Sequence, residues 1–163
     1  MAEGAARLVH GLKYEGWRAV AGTMGQALEP AARRLAGRER PVLVPVPLTA
    51  ARRRERGFNQ AQLLARALGE ATGWPVAEWL ARRSGAGRQV GLGRAGRRRA
   101  MRHRFVLRDA APAAQPIPLL LIVDDVVTTG ATAAACLEAI SEGGLRCGGV
   151  VSFARAVRPI SGD

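Results

Sequence analysis

Two adjacent carboxylates, Asp124 and Asp125, stand between an apolar run and a turn of hydroxyl and glycine residues. The run, residues 119–123, contains only Leu, Ile and Val, as expected of a parallel strand that is buried on both faces. The turn, residues 128–132, leads into a helical pattern that begins near Ala131. Such a turn presents free backbone N–H groups at a helix N-terminus, where the helix dipole also favours an anion.

The turn and the acids fit two different parts of one ligand. Threonine hydroxyl groups can add donors to a phosphate, and Gly130 lets the backbone approach it closely. The two acids are better suited to sugar hydroxyl groups, or to Mg²⁺ beside the phosphate. A phosphate and a diol bound side by side describe a phosphorylated pentose. The alternative is a plain turn in which Thr128 or Thr129 caps the helix, but two adjacent acids at a buried strand end cost several kcal/mol when unpaired.

Segment 119–132 resembles the phosphoribosyl-diphosphate (PRPP) binding motif of type I phosphoribosyltransferases. The rest of the chain resembles the ComF/GntX branch of competence-type proteins within that superfamily, over about residues 8 to 157. The residues that carry the branch resemblance are Leu12, Lys13, Tyr14, Val44, Pro45, Val46, Pro47, Leu48, Arg52, Arg54, Arg56, Gly57, Phe58, Asn59, Gln60, Gln89, Gly91, Leu92, Arg94, Arg97 and Phe105. Many members of this branch carry an N-terminal four-cysteine zinc module, which this chain lacks, so zinc is not implied.

The resemblance implies a role for each part of the site. The 5′-phosphate cradle would be Thr128, Thr129, Gly130, Ala131 and Thr132. The diphosphate loop would be Pro47, Leu48, Thr49 and Ala50. A flexible loop, residues 84–100, would contribute Gln89 and Arg94 and would close over PRPP. The catalytic residues would be Asp124, Asp125, Arg52 and Arg97. Mg²⁺ would arrive with PRPP near the two acids, and no direct metal ligand is assigned.

Some of these residues also have plain structural interpretations. Arg52 is otherwise a surface arginine. Phe58 and Asn59 could belong to the acceptor site, although Asn59 at a helix start is equally an N-cap.

Three functions are compatible with this pattern. The leading one is a Mg²⁺-dependent phosphoribosyltransferase that acts on PRPP and an unidentified acceptor. The competence branch implies a second, a non-catalytic protein of DNA uptake that works on single-stranded DNA with helicase and recombination partners. The third is a regulator that senses PRPP or nucleotides without turning them over. A homodimer is compatible with all three.

Size and composition predict a single domain over residues 1–163, of which 48% are hydrophobic. No apolar run approaches the roughly 18 residues of a membrane span, and the N-terminus lacks the pattern of a signal peptide. We therefore expect a cytoplasmic protein without a membrane span. The two cysteines, Cys136 and Cys147, have no Cys-x-x-Cys spacing and are expected to be reduced.

The net charge of +12 is concentrated in two arginine groups. One group lies within residues 52–56 and the other within residues 82–108. A solvated basic surface, an anionic substrate such as PRPP and nucleic acid are three explanations of these groups. Aromatic residues are sparse near the second group, with only Phe105, so base stacking on a single-strand platform is weakly supported.

Hydrophobic periodicity predicts alternating strands and helices, and hence an α/β fold: an open, mainly parallel, Rossmann-like sheet flanked by helices. The predicted helices cover residues 17–35, 59–71 (ended by Gly73) and 131–141. The predicted strands cover residues 42–46, 76–80, 105–107, 119–123 and 149–153. A mobile glycine-rich loop, 84–96, and a Pro/Ala linker, 110–118, separate them. Ligands of such sheets bind at the carboxyl ends of strands, so the segments after 42–46 and 119–123 should form two walls of one cleft.

Overall fold

The computed structural model describes residues 20–83, 104–108 and 116–155. The predictions for the loop 84–96, for most of the linker and for Gln89, Arg94 and Arg97 lie outside these residues. The helices are α1 (Val20–Ala27), α2 (Glu29–Ala36), α3 (Ala50–Arg56), α4 (Gln60–Thr72) and α5 (Ala131–Glu142). The strands are β1 (Val42–Pro45), β2 (Leu80–Arg82), β3 (Phe105–Leu107), β4 (Leu119–Val127) and β5 (Arg146–Arg155).

The central sheet is parallel, in the order β1-β4-β5. β4 lies in the middle, and its first six residues are all buried. A single parallel bridge between Leu43 and Val76 extends the sheet beyond β1. β2 and β3 form a separate antiparallel pair. The described part of the chain therefore has the predicted α/β architecture, a parallel sheet flanked by helices.

Each face of the sheet packs against its own layer. On one face, Leu43, Leu121 and Val123 pack against α1, α2 and α4. On the other face, side chains such as Val44 and Ile122 pack against α5 and against the β2–β3 pair. Successive strand residues point to opposite faces, so the apolar run 119–123 contributes side chains to the cores on both faces of the sheet. This arrangement holds the carboxyl end of β4 between two packed layers.

Two helical predictions meet different outcomes. The helix predicted over residues 17–35 is two helices in the described residues, because Pro30 has no N–H to donate to the preceding turn; it occupies the first turn of α2 instead. The helix predicted over residues 59–71 is confirmed as α4. Its N-cap is Asn59 and its C-cap is Gly73, whose φ of 73° lies in the left-handed region that favours glycine.

Three strand predictions need correction. The strand predicted over residues 76–80 is a bridge at Val76, and the regular strand β2 begins only at Leu80. β4 and β5 both run beyond their apolar segments, because their backbones stay paired as far as Val127 and Arg155. The strand predicted over residues 105–107 is confirmed as β3. Among the described residues, no helix is long and apolar enough to cross a membrane.

Candidate functional site

The carboxyl end of β1 lies directly beside the acid-bearing part of β4. Pro45 is paired with Val123, and the N–H of Val46 donates to the carbonyl oxygen of Val123 over 2.9 Å. The next residue of β4 is Asp124. The chain segment that leaves β1 therefore begins beside the two acids, as the cleft expected from the sequence requires.

Asp124 and Asp125 lie within β4, rather than after a strand that ends at Val123. Asp124 is buried, and its Oδ1 accepts the N–H of Asp125 over 2.9 Å. Oδ1 of Asp125, which is half-buried, accepts the N–H of Val126 over 2.7 Å. Each acid thus has one oxygen engaged by the backbone of the next residue, which fixes the direction of both carboxylates at the strand end.

The turn after β4 leads into the N-terminus of α5, which begins at Ala131. Gly130 is the N-cap of α5 with φ 77°, and its carbonyl accepts the N–H of Ala134 over 2.8 Å. The N–H groups of Thr132 and Ala133 belong to the first turn, where an α-helix offers no acceptor of its own. Thr129 Oγ1 accepts the N–H of Ala131 over a long 3.4 Å. The cap residue is therefore glycine and not a threonine, and the N-terminus of α5 presents backbone donors.

The predicted diphosphate loop is shorter than expected, because its last residue, Ala50, is the first residue of α3. Thr49 is the N-cap of that helix, and its Oγ1 accepts the N–H of Arg52 over 3.2 Å. Arg52 itself is exposed in the first turn. The hydrophobic pattern did not indicate α3, because α3 contains no buried residue. Its two capping residues, Thr49 and Gly57, provide the local signals for it.

Asn59 closes the segment that leaves β1. Its Nδ2 donates to the carbonyl oxygen of Val46 over 3.0 Å, and its Oδ1 accepts the N–H of Ala61 over 3.2 Å. The side chain is buried, so both bonds are shielded from water. Asn59 therefore caps α4 and at the same time ties its start to the end of β1.

Arg82 is a site residue that the sequence did not single out. Its Nε donates to the carbonyl oxygen of Pro47 over 2.8 Å, and its guanidinium lies 4.6 Å from the ring centre of Phe105. Burial lowers the pKa of this guanidinium; the nearby Cys136 and Asp124 oppose that shift, and Arg104 and Arg52 add to it. The sequence does contain one signal for this position. Side chains alternate along a strand, so Arg82 lies on the same face of β2 as the buried Leu80.

Cys136 lies in the buried face of α5 beside this group. Burial raises the pKa of its thiol to about 12, and the carboxylate of Asp124 raises it further, while Arg82 opposes the shift. The side chain is therefore a neutral thiol at physiological pH. It is a small core residue and a poor nucleophile.

The acids suit a metal that arrives with a ligand. Among the residues that the structure describes, no cluster of three or more His, Cys, Asp or Glu side chains could hold a metal ion. Mg²⁺ is commonly bound by one or two carboxylates together with substrate phosphates. Asp124 and Asp125 supply that number of carboxylates at a strand end, so these residues fit Mg²⁺ carried by a polyphosphate.

Comparison with known proteins bears on the fold. No protein-family model matches the chain, and no curated protein matches it. Among solved structures, an allosteric regulatory enzyme of purine biosynthesis superposes with a TM-score of 0.54 at 19% identity. This chain and that part of the enzyme share the α/β fold described above. The match covers 83% of this chain and 26% of the solved chain, so this chain spans about a quarter of that enzyme.

The parallel sheet explains why these elements lie together. In open parallel sheets, ligands bind beyond the carboxyl ends of the strands. The structure brings four described elements to that edge: the two acids of β4, the N-terminus of α5, the segment after β1 and Arg82 from the β2–β3 pair. Gln89, Arg94 and Arg97 belong to residues outside the described ranges, and their place relative to this edge stays a prediction.

Proposed function

We propose that this protein binds PRPP together with Mg²⁺ and transfers the phosphoribosyl group to an acceptor. One observation carries the proposal: β4 holds Asp124 and Asp125 near its carboxyl end at Val127, and the N-terminus of α5 follows at Gly130. Carboxylates for a sugar diol and backbone donors for a phosphate are thus adjacent, at the edge of the sheet where this fold binds ligands. The matched enzyme of purine biosynthesis supports a nucleotide precursor as the substrate class.

Each part of the site has a distinct task in the proposed reaction. The first-turn N–H groups of α5, assisted by Thr128 and Thr129, hold the 5′-phosphate. Asp124 and Asp125 hold the ribose hydroxyl groups. The segment after β1 and Arg52 hold the diphosphate. When bound, Mg²⁺ neutralises part of the diphosphate charge and so improves it as a leaving group.

The proposed reaction requires little acid–base chemistry from the chain. The bond between C1 of ribose and the diphosphate oxygen breaks, and diphosphate leaves with the electron pair. The acceptor forms its new bond to the same carbon and releases its proton to solvent. Because the developing positive charge lies on the sugar ring, positioning of the two reactants and exclusion of water supply most of the acceleration.

Calorimetry and a PRPP-decay assay test this proposal. The wild-type protein should bind PRPP in the presence of Mg²⁺ and only weakly without it. PRPP should then decay, with release of diphosphate, when a suitable base or amine is added. Equal affinity of the wild type and the Asp124→Asn/Asp125→Asn double variant for PRPP would refute the proposed site. Binding with no decay across a panel of bases and amines would favour a PRPP-sensing regulator instead.

A polyanion partner is the second candidate, and α3 supports it. The helix exposes Arg52, Arg53 and Arg54 and contains no buried residue, so its side chains are available to a large anion. Single-stranded DNA would give the competence-type role suggested by the sequence resemblance. In that case binding should persist near physiological salt, with log affinity falling by about 0.7 per phosphate contact for each unit of log salt concentration. Tight DNA binding that PRPP does not displace would favour this role over the transferase.

A further inference from the structure

Arg82 joins two elements that the chain keeps far apart in sequence. Its Nε donates to the carbonyl oxygen of Pro47, 35 residues earlier, over 2.8 Å. Pro47 is the second residue after β1, which ends at Pro45, and belongs to the proposed diphosphate loop. Arg82 is the last residue of β2, where it pairs with Phe105 of β3. The hydrogen bond therefore connects the β2–β3 pair to the loop.

Two contacts hold the guanidinium of Arg82: the hydrogen bond to Pro47 and the ring of Phe105. The group lies 4.6 Å from the ring centre of Phe105, and that ring is 2% exposed and packed in the core beside α5. A planar guanidinium that lies against an aromatic ring and donates through Nε has few alternative rotamers. Leu80, two residues earlier on the same face of β2, is 1% exposed and fixes the strand beneath it.

A fixed carbonyl at Pro47 has a direct consequence for the next residue. The peptide unit is planar, and in its trans form the C=O and N–H groups point in opposite directions. Holding the oxygen of Pro47 toward Arg82 therefore fixes the direction of the N–H of Leu48. Thr49 follows as the N-cap of α3, which fixes the other end of the loop. The loop is thus constrained at both ends before any ligand binds.

We propose that Arg82 is a positioning residue that holds the diphosphate loop in its ligand-binding conformation through the carbonyl of Pro47. The inference rests on the proposed function, because the loop is expected to bind diphosphate. A preorganised loop loses less conformational freedom when the ligand binds. The contact between Arg82 and Pro47 should therefore raise the affinity for ligands that carry a diphosphate. Ribose 5-phosphate lacks the diphosphate, so its affinity for the protein should not depend on Arg82.

The test compares Arg82→Met with a matched control, Arg83→Met. Both changes remove one positive charge and keep an unbranched side chain, but Arg83 is exposed. With Mg²⁺ present, Arg82→Met should lower the affinity for PRPP and for inorganic diphosphate about tenfold. The affinity for ribose 5-phosphate should change by less than twofold. Arg83→Met should change all three affinities by less than twofold, and equal losses in the two variants would overturn the proposal.

A second measurement separates positioning from simple loss of charge. Backbone ¹⁵N order parameters of Leu48 and Thr49, measured without ligand, should fall in Arg82→Met from the rigid range of about 0.85 toward about 0.6. Phe105→Leu removes the ring beneath the guanidinium while keeping the charge, and it should give the same fall if Arg82→Met does not fold. Unchanged order parameters would mean that Arg82 does not hold the loop. A wild type that fails to bind PRPP would overturn the proposed function, while the order parameters would still decide the role of Arg82.

Discussion

The N–H of Val46 donates to the carbonyl oxygen of Val123 over 2.9 Å, just beyond the last paired residues of β1. This bond sets where the two walls of the proposed site begin. On β4, Val123 is followed by Asp124, the first of the two acids. On the other segment, Val46 is followed by Pro47, the first residue of the proposed diphosphate loop. Because a backbone bond joins the two starting points, side-chain changes in either wall should leave their separation intact.

The first prediction concerns the acids. Asp125→Asn keeps the shape of the side chain and an oxygen for the N–H of Val126, but it removes the charge. It should weaken Mg²⁺-dependent PRPP binding by about 1.5–3 kcal/mol, the usual loss for a hydrogen bond to a charged group. Calorimetry measures this directly. Glu142→Gln, an exposed change at the far end of α5, is the control and should leave the affinity unaltered. Similar affinities for the two variants would contradict the prediction.

The second prediction concerns Gly130. An added Cβ would meet no protein atom within 4 Å, but φ is +77°, so Gly130→Ala should destabilise the fold by about 1–2 kcal/mol through backbone strain. Gly144, near the other end of α5, also has open space and a φ of +72°. Gly144→Ala should therefore cost a similar amount in a urea titration. Only Gly130→Ala should also reduce PRPP binding, because only Gly130 lies in the proposed phosphate-binding turn. Equal PRPP binding by both variants would place the phosphate elsewhere.

The third prediction uses two glycines of α1. A Cβ on Gly25 would lie 2.4 Å from the Cβ of Ala67 in α4, whereas a Cβ on Gly22 would meet nothing within 4 Å. Gly25→Ala should therefore destabilise the protein by about 1–3 kcal/mol through overpacking of α1 against α4. Gly22→Ala should stabilise it by about 0.5–1 kcal/mol, since alanine is the better helix former. Thermal unfolding of the two variants checks both signs. A stabilising Gly25→Ala would mean that the two helices pack less closely than described.

The fourth prediction concerns alkaline pH. The folded pKa of Cys136 is raised to about 12 from its ordinary value of 9.0, mainly by burial, so the folded state keeps a proton that the unfolded state loses. The stabilising contribution is complete below pH 9 and is lost as the pH rises toward 12. The loss should be up to about 1.4 kcal/mol per pH unit. Urea titrations at pH 8 and pH 10 should show a steeper decline for the wild type than for Cys136→Ala. A Cys147→Ala control should keep most of the decline, and parallel pH dependence in the wild type and Cys136→Ala would contradict the prediction.

The sequence predicted the ends of an element where capping residues mark them. The cap residues Asn59 and Gly73 delimited α4 to within a residue or so, because a cap acts through its own side chain or backbone freedom. The apolar run 119–123 predicted the buried part of β4, but not its length. Pairing of backbone groups continues as far as Val127, and such pairing leaves no mark in the polarity of side chains.

The sequence suggested residues for the candidate site but not the contacts between them. The acids and the proposed phosphate-binding turn are local motifs, so their residues could be proposed without a structure. The contact of Arg82 with Pro47 joins residues 35 positions apart, and α3 has no apolar face to indicate it. Long-range contacts of this kind depend on how layers pack, which a single sequence does not specify.

The double role of Asn59 closes the base of the segment formed by residues 47–58. Its side chain bonds the residue before this segment, Val46, and also caps the helix that follows it. The base of the segment is therefore closed whatever its interior contains. We therefore expect that α3 can be replaced by a segment of different length or charge. Such a replacement should change which anions bind, while β1 and α4 keep their structure.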